Sequence, residues 1–440
     1  MLQTVEDVAP KKGKGGIHYA FVICLGGFLT QAIVLSCQRL PAVSLESIRE
    51  SLGVSYADVG LITSVYMLFY AGLSIVWGML GDKIGTRKAM TIACSLASLG
   101  TILFGLFGGL GLGIAIVTWA ISGVGCAGLL MAILPKIVSR WFAPHRRGFG
   151  MSLITPGANF SAMILGVVAP IVIGSFGWQM GYVIFGVVFA LIAVYVGVFF
   201  REGPEEKGLA PYGAPEGTQA APEPVIVSDN EKAPAKKESA LARVVKMPIA
   251  WHFGVFYIVY QVGYMAATQY YVASIQSVGF DLAQASLAIT WGGLATIICE
   301  LILGTLSDHF ERKNIIGIVV AISAIGGFGY YFYLINTPAP SLMMCYVFVT
   351  IISASTSVIT VIMTGAGEYF CDEIRATGTG FIGTVNLVGR YLGPWIAGIV
   401  IDMTGVVGDS FAIVGVFMAI AAVIAFTFPK VAKVRVGANA

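Results

Sequence analysis

Gly78-Met-Leu-Gly-Asp82-Lys-Ile-Gly-Thr-Arg87-Lys88 and Gly304-Thr-Leu-Ser-Asp308-His-Phe-Glu-Arg312-Lys313 are two copies of one signature. In each, a glycine stands four residues before an acid, and a basic pair follows. The copies lie 226 residues apart, measured from Gly78 to Gly304. Each comes at the end of an apolar stretch of about 20 residues, the length that crosses a bilayer core as a helix. A second pattern repeats as well. Trp141-Phe142 with Arg147 and Gly150 returns as Tyr369-Phe370 with Arg375 and Gly378, at an offset of 228. Two patterns recurring at nearly one offset divide the chain into two related halves. In an apolar chain, such repeats are the sequence mark of a transporter.

Composition agrees. The chain is 57% hydrophobic and 11% charged, against roughly 25% charged in an ordinary soluble domain. No globular core needs so much apolar surface, whereas a lipid bilayer does. The net charge of +3 is small and no basic tract interleaves with aromatics, so nucleic acid is not a partner. Seven cysteines are present without a C-x-x-C pair, which points to neither a disulfide framework nor a zinc site. No G-x-x-x-x-G-K-[ST] loop, Ser/His/Asp set or metal spacing stands out, so no enzyme, cofactor or metal is expected.

Apolar runs fall near 18–40, 58–80, 89–108, 112–138, 148–173 and 178–200, then near 248–277, 283–306, 314–335, 341–366, 377–401 and 410–429. The expected organisation is an N-terminal tail (1–17), a six-helix bundle (18–200), a linker (201–247), a second six-helix bundle (248–429) and a C-terminal tail (430–440). The first run, preceded by Lys11, Lys12 and Lys14, is too long for a signal peptide and reads as a membrane helix. The linker carries six prolines between Pro204 and Pro234 and many charges, so it reads as flexible, with a short surface helix over Leu241–Lys246. Of 26 Lys plus Arg, all but Arg39, Arg49 and Arg390 fall on one side of this topology. The positive-inside rule makes that side cytoplasmic, with both termini inside and the protein in the cell inner membrane.

Twelve runs in two sixes, a central linker and the doubled signature together resemble the major facilitator superfamily, over essentially the whole chain outside the tails and linker. The resemblance implies an all-α membrane protein of twelve transmembrane helices, in two six-helix bundles related by a pseudo-two-fold repeat. It also implies a conformational latch, carried here by Gly78, Asp82 and Arg87 and by Gly304, Asp308 and Arg312. Arg39-Leu-Pro-Ala-Val-Ser, Leu52-Gly53-Val54-Ser55 with Gly60, Arg140-Trp-Phe-x-x-x-x-Arg147-Gly148 and Gly177-Trp178 are similar to the organic-anion symporter branch. There, an arginine at the end of the first helix holds the substrate's anionic group. The arginine and glutamate that proton-coupled members carry in the fourth helix are replaced here, at Ala120 and Ala127. The monocarboxylate and oxalate:formate exchanger branches are close, but the base they place in the eighth helix is absent from residues 283–303.

Ionisable side chains inside a bilayer are costly unless they face a polar cavity or a partner, so they lead the search for a site. Arg39 reads either as an anion anchor, since guanidinium binds carboxylate bidentately, or as an interfacial arginine reaching to headgroups. Arg390 sits near mid-membrane in the eleventh run. It reads as an anion-binding residue or as the partner of Glu300, the one carboxylate well inside a run. Glu300 could then carry the coupling proton or serve structure alone. Tyr257, Gln261, Tyr264, Thr268 and Tyr271 follow helical steps of four and three and share a face that belongs against a polar cavity. Tyr66 and Tyr70 offer a similar face in the second run. Asn386, one turn from Arg390, ranks above its repeat mate Asn159; Ser353 and Thr356 read as packing hydroxyls. The expected function is secondary transport of a small organic anion, a carboxylate, by proton symport or anion exchange. The protein is expected to act as a monomer, with the substrate, protons and the lipid bilayer as its partners. A neutral-solute carrier and a transporter-like sensor are the alternatives.

Overall fold

In hydrocarbon a backbone must satisfy its own hydrogen bonds, and a helix does so within one segment. The computed structural model describes residues 18–214, 240–371 and 373–429. The tails and residues 215–239, on which the flexible-linker reading rests, lie outside the described residues. Twelve helical spans follow the twelve apolar runs. Spans 1 to 3 are Ala20–Val43, Tyr56–Gly72 continued by Ser74–Ile84, and Thr86–Phe107. Span 4 runs through Leu112–Cys126, Leu129–Ile133 and Leu134–Trp141. Span 5 begins with Arg147–Ile154, Gly157–Met163 and Ile164–Val168. It then enters the helix Ala169–Phe199, whose backbone breaks at Gly177 (φ 78°, ψ 163°), where span 6 begins. Spans 7 to 9 are Pro248–Gln276, Leu282–His309 and Arg312–Asn336. Span 10 joins Leu342–Ser353, Ala354–Ser357 and Val358–Glu368. Span 11 joins Arg375–Val385 to Leu387–Thr404, and span 12 is Ser410–Phe426.

Several spans are broken where the sequence suggested plain helices. Spans 4 and 5 each contain a five-residue π turn, Leu129–Ile133 and Ile164–Val168, and span 10 tightens to a 3₁₀ turn at Ala354–Ser357. The loop expected between runs five and six shrinks to Gly177 alone, because a left-handed glycine can reverse direction in one residue. Span 7 has no Asp, Glu, Lys or Arg, yet its tyrosines and glutamines make it the least lipid-like of the long helices. The helix Ala240–Lys246 leads into it, close to the expected Leu241–Lys246.

The end carrying the Gly78–Lys88 loop, and where the first and last spans begin and finish, is termed the inner end. At the outer end, a short amphipathic helix, Leu45–Leu52, turns through 116° into span 2. Ser55 and Asp58 form a capping box there. The Ser55 hydroxyl accepts from the Asp58 N–H (3.2 Å) and the Asp58 carboxylate accepts from the Ser55 N–H (3.1 Å). The two halves meet closely at this end. A Cβ on Gly60 of span 2 would lie 2.6 Å from the Pro394 carbonyl of span 11, and one on Gly398 would lie 2.7 Å from the Ala57 Cα. Only glycine lets these backbones touch.

Candidate functional site

A cavity of about 130 Å³ lies between the halves. Spans 1 and 5 of the first half line it with Arg39 and Asn159, and spans 7, 8 and 10 of the second with Tyr264, Thr268, Tyr271, Thr296, Glu300, Ser353 and Thr356. Arg39 is four residues from the outer end of span 1, and Glu300 is eighteen residues from the outer end of span 8. At about 1.5 Å of rise per residue, they sit roughly 6 Å and 27 Å from those ends. Arg39 therefore marks the outer, closed end of the cavity and Glu300 its inner mouth, where its side chain is exposed. Arg39 is the one arginine or lysine in the lining. Among the described residues neither Arg39 nor Glu300 has an ion-pair partner.

The helical-face reading of span 7 splits in two. Tyr264, Thr268 and Tyr271 face the cavity, and Ser353 donates to the Tyr271 hydroxyl (3.4 Å). Gln261 and Tyr257, one and two turns inward, are buried outside its lining. Gln261 packs against Gly389, next to Arg390, whose guanidinium carbon stands 5.9 Å above the Tyr70 ring. Asn386 joins this second cluster, and its amide donates to the Gly383 carbonyl (2.7 Å). Among the described residues, three buried polar atoms here have no partner: Nε of Arg390, Oδ1 of Asn386 and Oε1 of Gln261. The expected alternative of an Arg390–Glu300 ion pair is not formed, since the two residues belong to different clusters.

The two repeat-related asparagines fall in different places. Asn159 lines the cavity; Asn386 does not, its amide turning back to the Gly383 carbonyl of its own span while Arg390, one turn on, reaches Tyr70 of span 2. Tyr66 is fully buried, stacked on Trp119 of span 4 (5.1 Å) and on Tyr70 (6.2 Å, 7° between planes), so it packs the first half rather than the cavity. Thr268, Tyr271, Ser353 and Thr356 were visible as polar residues in the sequence but not as a ring; only the crossing of spans 7 and 10 brings them together.

At the inner end, Asp82 pairs with Lys136 of span 4 (2.6 Å), which also donates to the Gly78 carbonyl (2.9 Å). Arg87 donates through Nε to the Gly197 carbonyl (3.1 Å), and Glu202 accepts from the Thr86 and Arg87 N–H groups (2.9 and 2.8 Å). In the second half Arg312 pairs with Glu368 (3.2 Å). Gly304 and Asp308 lie on span 8, with their side-chain surroundings outside the described set. These contacts of the loop signature stay within one half. Lys136 was not singled out from the sequence. Beneath span 1, the half-buried His18 ring bonds the Ala210 carbonyl (3.2 Å), and partial burial holds its pKa below the usual value.

The Major Facilitator Superfamily profile matches residues 23–359 and again 262–439. The chain belongs to that superfamily. Its members are transporters, and this chain is accordingly a multi-pass membrane protein of the transport class. Among curated relatives, the probable sulfoacetate transporter SauU of Cupriavidus necator is 24% identical over 165 residues, 38% of this chain and 38% of that protein. The aligned part is thus well under half of that relative's own length. The membrane sensor protein UhpC of Salmonella typhimurium is 22% identical over 388 residues, covering 84% of this chain and 83% of the sensor. The probable nitrate/nitrite transporter NarK2 of Mycobacterium tuberculosis is 25% identical over 370 residues, 81% of this chain and 83% of its own. Among solved structures, an inward-facing bacterial homologue of the human lysosomal transporter Spinster superposes with a TM-score of 0.74 at 17% identity, covering 96% of this chain and 99% of that one. The D-xylose–proton symporter gives 0.72 at 15% identity, over 94% and 99%. At such identities these likenesses establish the fold.

Proposed function

We propose that this superfamily member carries a small organic anion, a carboxylate, across the cytoplasmic membrane, and that Arg39 binds it. The observation that carries the reading is a lone guanidinium at the closed end of a cavity between the halves, with hydroxyls and an amide around it and no acid paired to it among the described residues. A half-buried cation within a membrane span and without an internal counter-charge calls for an external one, and a guanidinium suits a carboxylate in particular. The cavity holds roughly four waters at about 30 Å³ each, which suits a small solute. Relatives named as sulfoacetate and nitrate/nitrite transporters support an anionic substrate.

Alternating access by rocking of the two six-helix bundles, 18–200 and 248–429, would expose the site to each side in turn. Arg390, with Tyr70, Tyr257, Gln261 and Asn386, adds positive potential on the inward flank of the same polar face. Tyr264 contributes a hydroxyl to the site, and Glu300 at the mouth is the candidate proton carrier if transport is symport. Asp82 and Asp308, with Gly78, Gly304, Arg87 and Arg312, belong to the latch. The positive-inside distribution supports a cytoplasmic inner end.

The test is counterflow in proteoliposomes loaded with a panel of mono- and dicarboxylates. Exchange of at least one organic acid is expected, and exchange confined to neutral solutes would overturn the reading. A second reading is favoured by the UhpC relative, which is named as a membrane sensor and aligns over most of the chain. Saturable anion binding without any counterflow would establish the sensor in place of the carrier.

A further inference from the structure

Asp402 stands in the last turn of span 11, two residues before its end at Thr404 and three before left-handed Gly405. An acid there opposes the partial negative charge of its own helix terminus, a local disadvantage that calls for compensation elsewhere. The compensation comes from the other half of the molecule. Asp402 Oδ1 accepts from the Tyr56 N–H (2.9 Å) and Oδ2 from the Ala57 N–H (2.8 Å). Both donors are in the first turn of span 2, where N–H groups lack helical acceptors and the dipole favours an anion. The carboxylate of one half thus closes the N-terminus of a helix in the other.

The surroundings reinforce the junction. The Tyr270 hydroxyl of span 7 lies within bonding distance of the Tyr56 carbonyl (3.2 Å) and the Pro394 carbonyl (3.0 Å). The Ser64 hydroxyl donates to the Tyr391 carbonyl (2.6 Å), and Gly60 and Gly398 bring the two backbones into contact along the same seam. The Tyr56 ring is held on its far side, its hydroxyl donating to Glu46 (2.8 Å) and its face covered by Arg49 (4.7 Å). The donors are therefore fixed before Asp402 meets them.

We infer that Asp402 is a positioning residue of the transport cycle, the outer counterpart of the Asp82 loop. Its carboxylate holds the outer ends of the halves together while the cavity is closed on that side, and must leave the Tyr56 and Ala57 N–H groups before the cavity can open outward. An ionised carboxylate suits this role because both oxygens accept. An asparagine offers one acceptor and turns an N–H₂ group toward the second donor. The inference holds whichever solute is carried.

Spin labels at Glu50→Cys on the outer helix of the first half and Val406→Cys beyond span 11, both exposed positions, report the outer mouth. They are introduced in a Cys371→Ser background, which removes the exposed native cysteine. Electron–electron double resonance on the full chain in liposomes then reads the distance distribution. The native protein should show a dominant short distance. Asp402→Asn should raise the long-distance, outward-open population on the order of tenfold, as expected for losing a charge-assisted contact. Tyr56→Pro tests the donor side and carries the experiment if Asp402→Asn fails to fold. Proline is tolerated at the first helical position, and extended Ser55 (φ −80°, ψ 168°) suits the residue before it. It removes one N–H, whereas Tyr56→Ala keeps that N–H and removes only the ring. The expected order is Tyr56→Pro open and Tyr56→Ala much closer to native. Unchanged distances in folded Asp402→Asn, or equal opening in Tyr56→Pro and Tyr56→Ala, would overturn the inference. A purely structural role would lower the melting temperature without moving the distances.

Discussion

Replacing Arg39 by glutamine separates the anion reading from its rivals. In the native cavity the guanidinium has no acid partner among the described residues, and on the proposed reading its counter-charge comes with the substrate. A carboxylate gripped bidentately makes two charge-assisted hydrogen bonds, and truncating one side of such a pair costs about 2–5 kcal/mol. At about 1.4 kcal/mol per tenfold, the dissociation constant should rise by roughly 30- to 4,000-fold. Arg39→Lys keeps the charge and loses the fork, so it should fall between native and glutamine. The substitution breaks no internal ion pair, so the ligand-free melting temperature should hardly move. A ligand at 100 times its dissociation constant adds about 2.7 kcal/mol of stability, and at the same ligand concentration that shift should fall below about 1 kcal/mol in Arg39→Gln. Titration calorimetry beside thermal unfolding, with any organic acid that exchanges in the native protein, reads both quantities. Affinity within threefold of native would refute the argument and favour a neutral solute, with Arg39 reaching to headgroups. Arg390 lies outside the cavity lining, so Arg390→Ala is expected to slow turnover more than it weakens binding in this closed-outside state.

Two further outcomes follow from the same geometry. Asp82→Asn removes an exposed pair with Lys136 worth about 0–1 kcal/mol, so stability should hold while exchange slows more than binding weakens; a large loss of affinity at native exchange rate would contradict a latch role. Glu300→Gln should lose uptake driven by an inward proton gradient yet keep substrate exchange, because Glu300 holds no ion-pair partner among the described residues and its replacement leaves no orphaned charge. Gradient-driven uptake at full rate in that variant would exclude Glu300 as the proton carrier.

What the sequence made legible was whatever one helix can reveal alone. Span lengths follow from apolar runs, and the two halves from repeated loops. Arg39 declares itself because a guanidinium within an apolar segment is expensive wherever it sits. The faces of single helices are legible too: Tyr264, Thr268 and Tyr271 were placed together by their spacing, and they do share the cavity. What a helical wheel omits is depth and the neighbouring helix. Gln261 and Tyr257 lie on the same stripe yet fall one and two turns too far inward, with Gln261 against Gly389 beside Arg390. Asn386 and Asn159 look equivalent by the repeat, and only the packing of spans 2 and 7 on span 11 sends one of them away from the cavity.

Asp402 marks the limit of such reading. Within its own helix it is merely an acid at the unfavourable end, and 345 residues separate it from Ala57. A residue that looks locally wrong is nonetheless a usable signal, because a natural sequence keeps such a choice where a distant partner compensates it. Here the partner is the start of a helix whose first N–H groups have nothing else to bond. The outer contact therefore joins two defects, an acid without a base and donors without acceptors, that can be satisfied together in one state of the transporter and must be satisfied by water in the other. That difference allows a single carboxylate to bias the balance between states without touching the solute.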